Sequence, residues 1–244
     1  MKKLLLLLIL QSYLYCSTLE QVEEYISVSH VEENILLLEE RYSEIQNGFT
    51  NTENAYDMQL LMFRFKEFLE THLSEDEMNE ILANYKNLTY LQFTSNQMTK
   101  DDYDKTQADV QNLKEDPDYQ ERLHISEQIN KILNKKEIIG IMYDDLMTPF
   151  MKNSIGGGNI SKKMIKNQKN AYVKSILDHS IIDILYYTKE FNIDELEELL
   201  NIIKSSSIEH ERKTIYKATA YTFKEFFISI ANRYDLTQHQ IKSK

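Results

Sequence analysis

The sequence predicts an all-α protein made of two related multi-helix units, and three observations carry that expectation. Gly (5) and Pro (2) are scarce in 244 residues, while Leu, Ile, Glu, Lys and Asn abound, so helix formers dominate and breakers are few. Apolar residues recur at spacings of three and four over long stretches, the period of one helix face. Eleven residues, Asp76–Lys86 (DEMNEILANYK), return 118 positions later as Asp194–Lys204 (DELEELLNIIK) with Asp, Glu, Glu, Leu and Lys in register.

The N-terminal stretch 1–17 reads as a secretory signal. Lys2 and Lys3 precede the unbroken apolar run Leu4–Leu10, which weakens at Gln11-Ser12. That run is shorter than the ~20 residues needed to span a bilayer, so cleavage near Cys16–Thr18 is expected rather than anchoring. Cys16 is the only cysteine. The alternative to its removal is lipidation as the N-terminal residue, as in a bacterial lipoprotein box, although Tyr15 stands where that motif has Gly, Ala or Ser. With Cys16 gone the mature chain has no disulfide.

Unit 1 is expected over 18–115. Thr18-x-x-Gln21 looks like a capping box. Val22, Ile26, Leu36, Leu37 and Tyr42 continue a helical pattern to Gln46, stopped by Asn47-Gly48 and followed by the polar connector Thr50–Asn54. Tyr56–Leu73 is a second helix, with a wide stripe of Met58, Leu61, Met62, Phe65, Phe68 and Leu69. Ser74-Glu75-Asp76-Glu77 is a capping box with Ser at N-cap and Glu at N3. It opens a third helix carrying Met78, Ile81, Leu82 and Tyr85, which runs on through Tyr90, Leu91 and Phe93 to Met98. Lys100–Pro117 reads as an acidic linker, and Asp116-Pro117-Asp118 marks a boundary between halves.

Unit 2, expected over 120–240, repeats the plan. Ile125–Leu146 is helical, with Ile129, Ile132, Leu133, Ile138 and Ile139. Glu24-Tyr25-Ile26 aligns with Glu127-Gln128-Ile129 at an offset of 103. Ala171–Phe191 corresponds to Ala55–Leu73, and Asn192-Ile193-Asp194-Glu195 repeats the capping box. The offset grows by 15 between the two alignments. The growth falls at the Gly-rich segment Asn153–Ser161, so unit 2 carries an insertion around Lys152–Lys166. A surface loop tolerates such an insertion because closure entropy rises slowly with length.

No reaction constellation emerges. Gly156-Gly157-Gly158 with Lys162-Lys163 lacks the phosphate-loop spacing and a preceding strand, which leaves a flexible loop. Asp101-Asp102-Tyr103-Asp104 lacks the glycine of a calcium loop and reads as solvated linker. His179 and Asp183 share a helix face and form the best candidate metal pair. His210-Glu211 starts like a zinc-binding HExxH helix, but Thr214 stands at the second ligand. There is no nucleophile elbow. No catalytic, cofactor-binding or metal-ligating set is therefore expected. Aromatic residues crowd both units: Phe63, Phe65, Phe68, Tyr85, Tyr90 and Phe93 in one, Tyr216, Tyr221, Phe223, Phe226 and Phe227 in the other. They suit core packing or an aromatic groove for an apolar ligand or partner helix. The net charge of −11 becomes two units more negative when Lys2 and Lys3 leave, which disfavours nucleic acid and anionic membrane surfaces as partners.

At the repeated cassette the chain resembles a bacterial exported family, Domain of unknown function 2059. Leu73-Ser74-Glu75-Asp76-Glu77-Met78 with Ile81, Leu82 and Tyr85 resembles the family core, and Phe191-Asn192-Ile193-Asp194-Glu195-Leu196 with Leu199 and Leu200 resembles it again. The small-residue turn usual in the family is replaced by Asn87-Leu88-Thr89 and Ser205-Ser206-Ser207. The resemblance implies an all-helical exported protein and transfers no catalytic residue. The function expected is that of a non-enzymatic periplasmic or cell-envelope protein that binds a partner protein or apolar ligand. The alternatives are a metal-assisted hydrolase using His179 and nearby carboxylates, and a structural lipoprotein tethered through Cys16.

Overall fold

The computed structural model describes residues 16–36, 58–96, 103–234 and 236. The described residues are helical throughout, with no strand, as the composition predicts. Eleven helices follow in order: α1 (Leu19–Ser29), α2 (Met58–His72), α3 (Glu75–Tyr85), α4 (Leu88–Asn96), α5 (Tyr103–Leu113), α6 (Tyr119–Leu133), α7 (Lys136–Met142), α8 (Thr148–Asn153), α9 (Lys162–Tyr187), α10 (Ile193–Ile203) and α11 (Ser206–Ala231). Residues 1–15 of the signal stretch, the Asn47-Gly48 stop, the Thr50–Asn54 connector and Asp101-Asp102 lie outside the described residues.

By contacts the chain divides into two compact units, each assembled from three stretches. One comprises Met1–Glu32, Lys66–Leu133 and Ser180–Thr214; the other comprises Glu33–Phe65, Asn134–His179 and Ile215–Lys244.

The first compact unit is organised by capped helices. Thr18, Ser74 and Asn192 each accept a hydrogen bond from the N3 amide, and Gln21, Glu77 and Glu195 reach back to the cap amide. Each box satisfies two amides that a helix start would otherwise leave unpaired. The two cassettes then bury the same four positions: Met78, Ile81, Leu82 and Tyr85 on α3, and Leu196, Leu199, Leu200 and Ile203 on α10. That i, i+3, i+4, i+7 pattern is one stripe of a helix. α1 packs on α3, and α6 packs on α10. At the 103-residue offset, Val22 and Ile26 of α1 and Ile125 and Ile129 of α6 are all buried. The carbonyl just before each cap is also bonded in corresponding fashion. Leu73 accepts from the Ser17 amide at 2.8 Å, and Phe191 accepts from the buried Arg122 guanidinium at 2.6 Å.

Several boundaries differ from expectation for identifiable reasons. The first helix breaks at His30, which adopts a left-handed φ of 54°, before helical residues 31–36 resume. Part of the acidic linker is α5, whose Thr106 and Val110 are buried; Val110 joins a cluster with Leu185 and Tyr186. The helix expected over Ile125–Leu146 divides into α6 and α7. It ends in a π turn, Tyr143–Met147, just ahead of Pro149, whose missing amide cannot serve an α ladder. α9 begins nine residues earlier than its apolar stripe, because Lys162–Asn170 is polar and mostly exposed on every side.

In the second compact unit the Gly-rich segment is a built turn. Gly156 takes φ 82°, and Gly157–Asn159 forms one 3₁₀ turn. A Cβ on Gly157 would lie 2.1 Å from the Met151 carbonyl oxygen, so only glycine lets the loop close onto α8. Ile155 is tied at both backbone groups, donating to the Tyr234 carbonyl at 2.9 Å and accepting from the Leu236 amide at 3.1 Å.

Ser74→Ala and Asn192→Ala are each expected to cost about 1 kcal/mol in urea unfolding, the value of an N-cap. Gly157→Ala is expected to cost about 2 kcal/mol or more, since backbone must move to admit the methyl group.

Candidate functional site

A carboxylate on an otherwise apolar helix face must find its hydrogen bonds inside the protein or not be buried at all. Glu211 of α11 is 5% exposed and meets that requirement through three tyrosines from three other helices. Tyr25 of α1 donates to Oε1 at 2.9 Å, Tyr85 of α3 donates to the same oxygen at 2.5 Å, and Tyr90 of α4 donates to Oε2 at 3.3 Å. The rings support one another edge to face. Tyr25 and Tyr85 have centroids 5.8 Å apart at 85°, and Tyr85 and Tyr90 5.1 Å apart at 72°. All four residues belong to the first compact unit.

Burial pushes the Glu211 carboxyl above its ordinary value, and the three phenol donors and Arg212 pull the other way without cancelling it. Burial, together with the charge on Glu211, pushes Tyr25 and Tyr90 well above their ordinary range; for Tyr85 the neighbouring Tyr25 and Glu211 add to burial. The phenols are therefore donors at every pH near neutrality. Chemically the cluster orders four helices around one proton-binding group.

Two surface features flank the same unit. A cleft of about 230 Å³ is lined by Glu77, Glu80, Ile81, Ser206, Ser207 and His210. His210 Nε2 lies 3.5 Å from Glu77 Oε1, close enough for an ion pair when the ring is protonated but without hydrogen-bond geometry. The Ser74 backbone bond holds the Glu77 carboxyl below its ordinary range. In the corresponding corner, Glu198 accepts from Asn87 at 2.8 Å and from Thr89 at 2.6 Å, and these bonds lower its pKa. A more open groove of about 410 Å³ is lined by Asp109, Asn112, Leu113, Asp116, Lys189 and Glu190. There Lys189 donates to Asp109 at 2.5 Å, which raises the Lys189 pKa, and sits 4.4 Å over the Tyr186 ring.

The residues singled out from sequence fall into place unevenly. His210 lines the small cleft, while Glu211, one residue on, turns into the core. His179 Nδ1 is bonded to the Ser175 carbonyl one turn back at 2.9 Å. Among the described residues no group of three His, Cys, Asp or Glu is placed to hold a metal ion. Cys16 is half-buried beside Ser17, whose amide and hydroxyl are bonded to the carbonyls of Leu73 and Leu69. Of the aromatic residues, Phe65, Phe68, Tyr85, Tyr90, Phe93, Phe223, Phe226 and Phe227 are core, Phe63 is 64% exposed, and Tyr221 is exposed too. Sequence reasoning passed over Tyr25 and the tyrosine triad as a set. The available signal was the pairing of three tyrosines with one charged residue on a buried register.

Glu211→Gln tests the cluster by linkage. A carboxyl with a raised folded-state pKa contributes stability that is complete below its ordinary value of 4.5 and is lost as pH rises through the folded value. Urea unfolding of both proteins from pH 4 to 8 is expected to show the wild type losing ground to Glu211→Gln as pH rises. The slope should be at most about 1.4 kcal/mol per pH unit. A difference that grows in the wild type's favour would mean the ionised form is the stabilised one.

Comparison with protein-family models, with curated proteins and with solved structures finds no match, so the functional reading rests on this chain's own geometry.

Proposed function

We propose that the chain is an exported helical protein of the bacterial cell envelope that works by binding a partner protein or an apolar ligand rather than by catalysis. Glu211 carries the reading. The most chemically distinctive group among the described residues is buried against three phenols, where it orders helices. Export is supported by the Lys2-Lys3 and Leu4–Leu10 pattern. It is also supported by the way Ser17 and Thr18 are used. Ser17 closes the end of α2 and Thr18 caps α1, so cleavage next to Cys16 removes no residue that these two bonds need. Among the described residues no helix is long and apolar enough to cross a membrane.

The proposal includes an internal duplication. Its support is the matching burial of α3 and α10, the matching docking of α1 and α6, and the two capping boxes 118 residues apart. The same cassette carries the resemblance to Domain of unknown function 2059.

Intact mass of protein recovered from the envelope fraction of a bacterial host tests location. A mature chain beginning at Cys16 or Ser17 is expected, because a cut after Ser17 removes the residue whose amide and hydroxyl close the end of α2. A diacylglycerol increment on Cys16 would replace secretion with a lipid tether, and an uncut chain in the cytoplasm would remove the export reading. Pull-downs from envelope extracts combined with lipid-extract mass spectrometry are expected to recover one stoichiometric companion. Recovery of none at saturating protein would count against binding as the role.

A further inference from the structure

The charges of this acidic chain are not mixed evenly. Residues 146–177 contain six of its 28 Lys and Arg and none of its 39 Asp and Glu. Two of the six are neutralised: Lys169 donates to Asp144 at 2.5 Å, and Lys174 to Asp178 at 2.6 Å. The other four, Lys152, Lys162, Lys163 and Lys166, are exposed and make no ion pair among the described residues. We propose that this lysine cluster, with the exposed Ile155 and Met164, docks the protein on an anionic phospholipid surface.

The cluster does nothing for the fold. Lys162, Lys163 and Lys166 stand in the first turn or so of α9, where the helix dipole disfavours positive charge. A local rule broken without structural gain points to a use outside the fold. The three span about 6 Å of helix axis at 1.5 Å per residue, within the Debye length of about 8 Å at physiological salt, so their fields add.

The turn before α9 is rigid. Gly157 is pressed on the Met151 and Lys152 carbonyls, and Ile155 is held at both its backbone groups, yet its side chain is 50% exposed. A fixed backbone that presents an isoleucine to solvent, three residues after Lys152 and seven before Lys162, suits insertion at the headgroup boundary, with the lysines meeting phosphates. Nucleic acid is a poorer fit. Residues 146–177 hold no arginine for bidentate phosphate or base contacts. This inference does not depend on the export reading, because it uses no residue of the signal stretch.

Co-sedimentation of the full chain with phosphatidylcholine vesicles, and with vesicles that also contain phosphatidylglycerol, is the test. The comparison protein carries Lys→Gln at 152, 162, 163 and 166. Binding through Leu4–Leu10 and the flanking Lys2 and Lys3 is the same in both proteins, so the difference between them reports on the cluster alone. Wild type is expected to prefer phosphatidylglycerol vesicles, to lose that preference at high salt, and to lose at least about tenfold in partitioning in the fourfold variant. The variant's melting temperature should be equal to or above wild type, since the substitutions relieve the dipole conflict. Equal partitioning of the two proteins, no preference for phosphatidylglycerol, or lysine-dependent binding of a DNA duplex without vesicle binding would each overturn the proposal.

Discussion

A carboxylate taken out of water must be given its hydrogen bonds by the fold, and this requirement at Glu211 governs how four helices meet. An unpaired buried charge costs several kcal/mol, enough to decide between folded and unfolded in a domain of ordinary stability. Glu211 avoids that cost only if α1, α3 and α4 each deliver a phenol to within hydrogen-bond reach. The apolar stripes of α3 and α10 are buried, but apolar contact alone tolerates slippage. Three directional bonds to two oxygens do not, and they fix the rotation of each contributing helix about its axis.

The cluster also marks where two otherwise similar cassettes part company. Glu211 stands at the register of Phe93, and Tyr85 and Tyr90 stand at the registers of Ile203 and Ile208. Tyr25 corresponds to Gln128 at the shorter offset. One side thus collects a carboxylate and its donors, while the other carries a phenylalanine and two isoleucines. The two cassettes share capping boxes and buried stripes, while three of the four positions of the polar cluster correspond to apolar residues and the fourth to Gln128.

How much of this was legible in the sequence depends on the kind of signal. Capping boxes are local: a Ser or Asn followed three residues later by Glu satisfies its own amides, and both were read correctly from spacing. The four-residue stripes were legible for the same reason. Tertiary polar pairing was not. Tyr25 and Glu211 are 186 residues apart, and nothing in either neighbourhood announces the other. His210-Glu211 drew attention as a fragment of a metal motif, when the meaning of Glu211 lay in its burial. Acidic residues frame the thin stripe of Thr106, Val110 and Leu113, so α5 looks like linker in the sequence. The Gly-rich turn was read as slack, because glycine signals freedom in a sequence and close approach in a fold. The lysine segregation was visible but was masked by the net charge, a sum that discards position.

The meeting of the four helices depends on the state of one side chain. Carbon-13 NMR titration of the protein labelled at glutamate carboxyls resolves Glu211, assigned through its loss in Glu211→Gln. The account predicts a single carboxyl that titrates above the ordinary value of 4.5 and moves when Tyr85 is changed to Phe. A Glu211 signal that titrates with the exposed glutamates and ignores that substitution would show the carboxylate in water, and the centre described here would not exist.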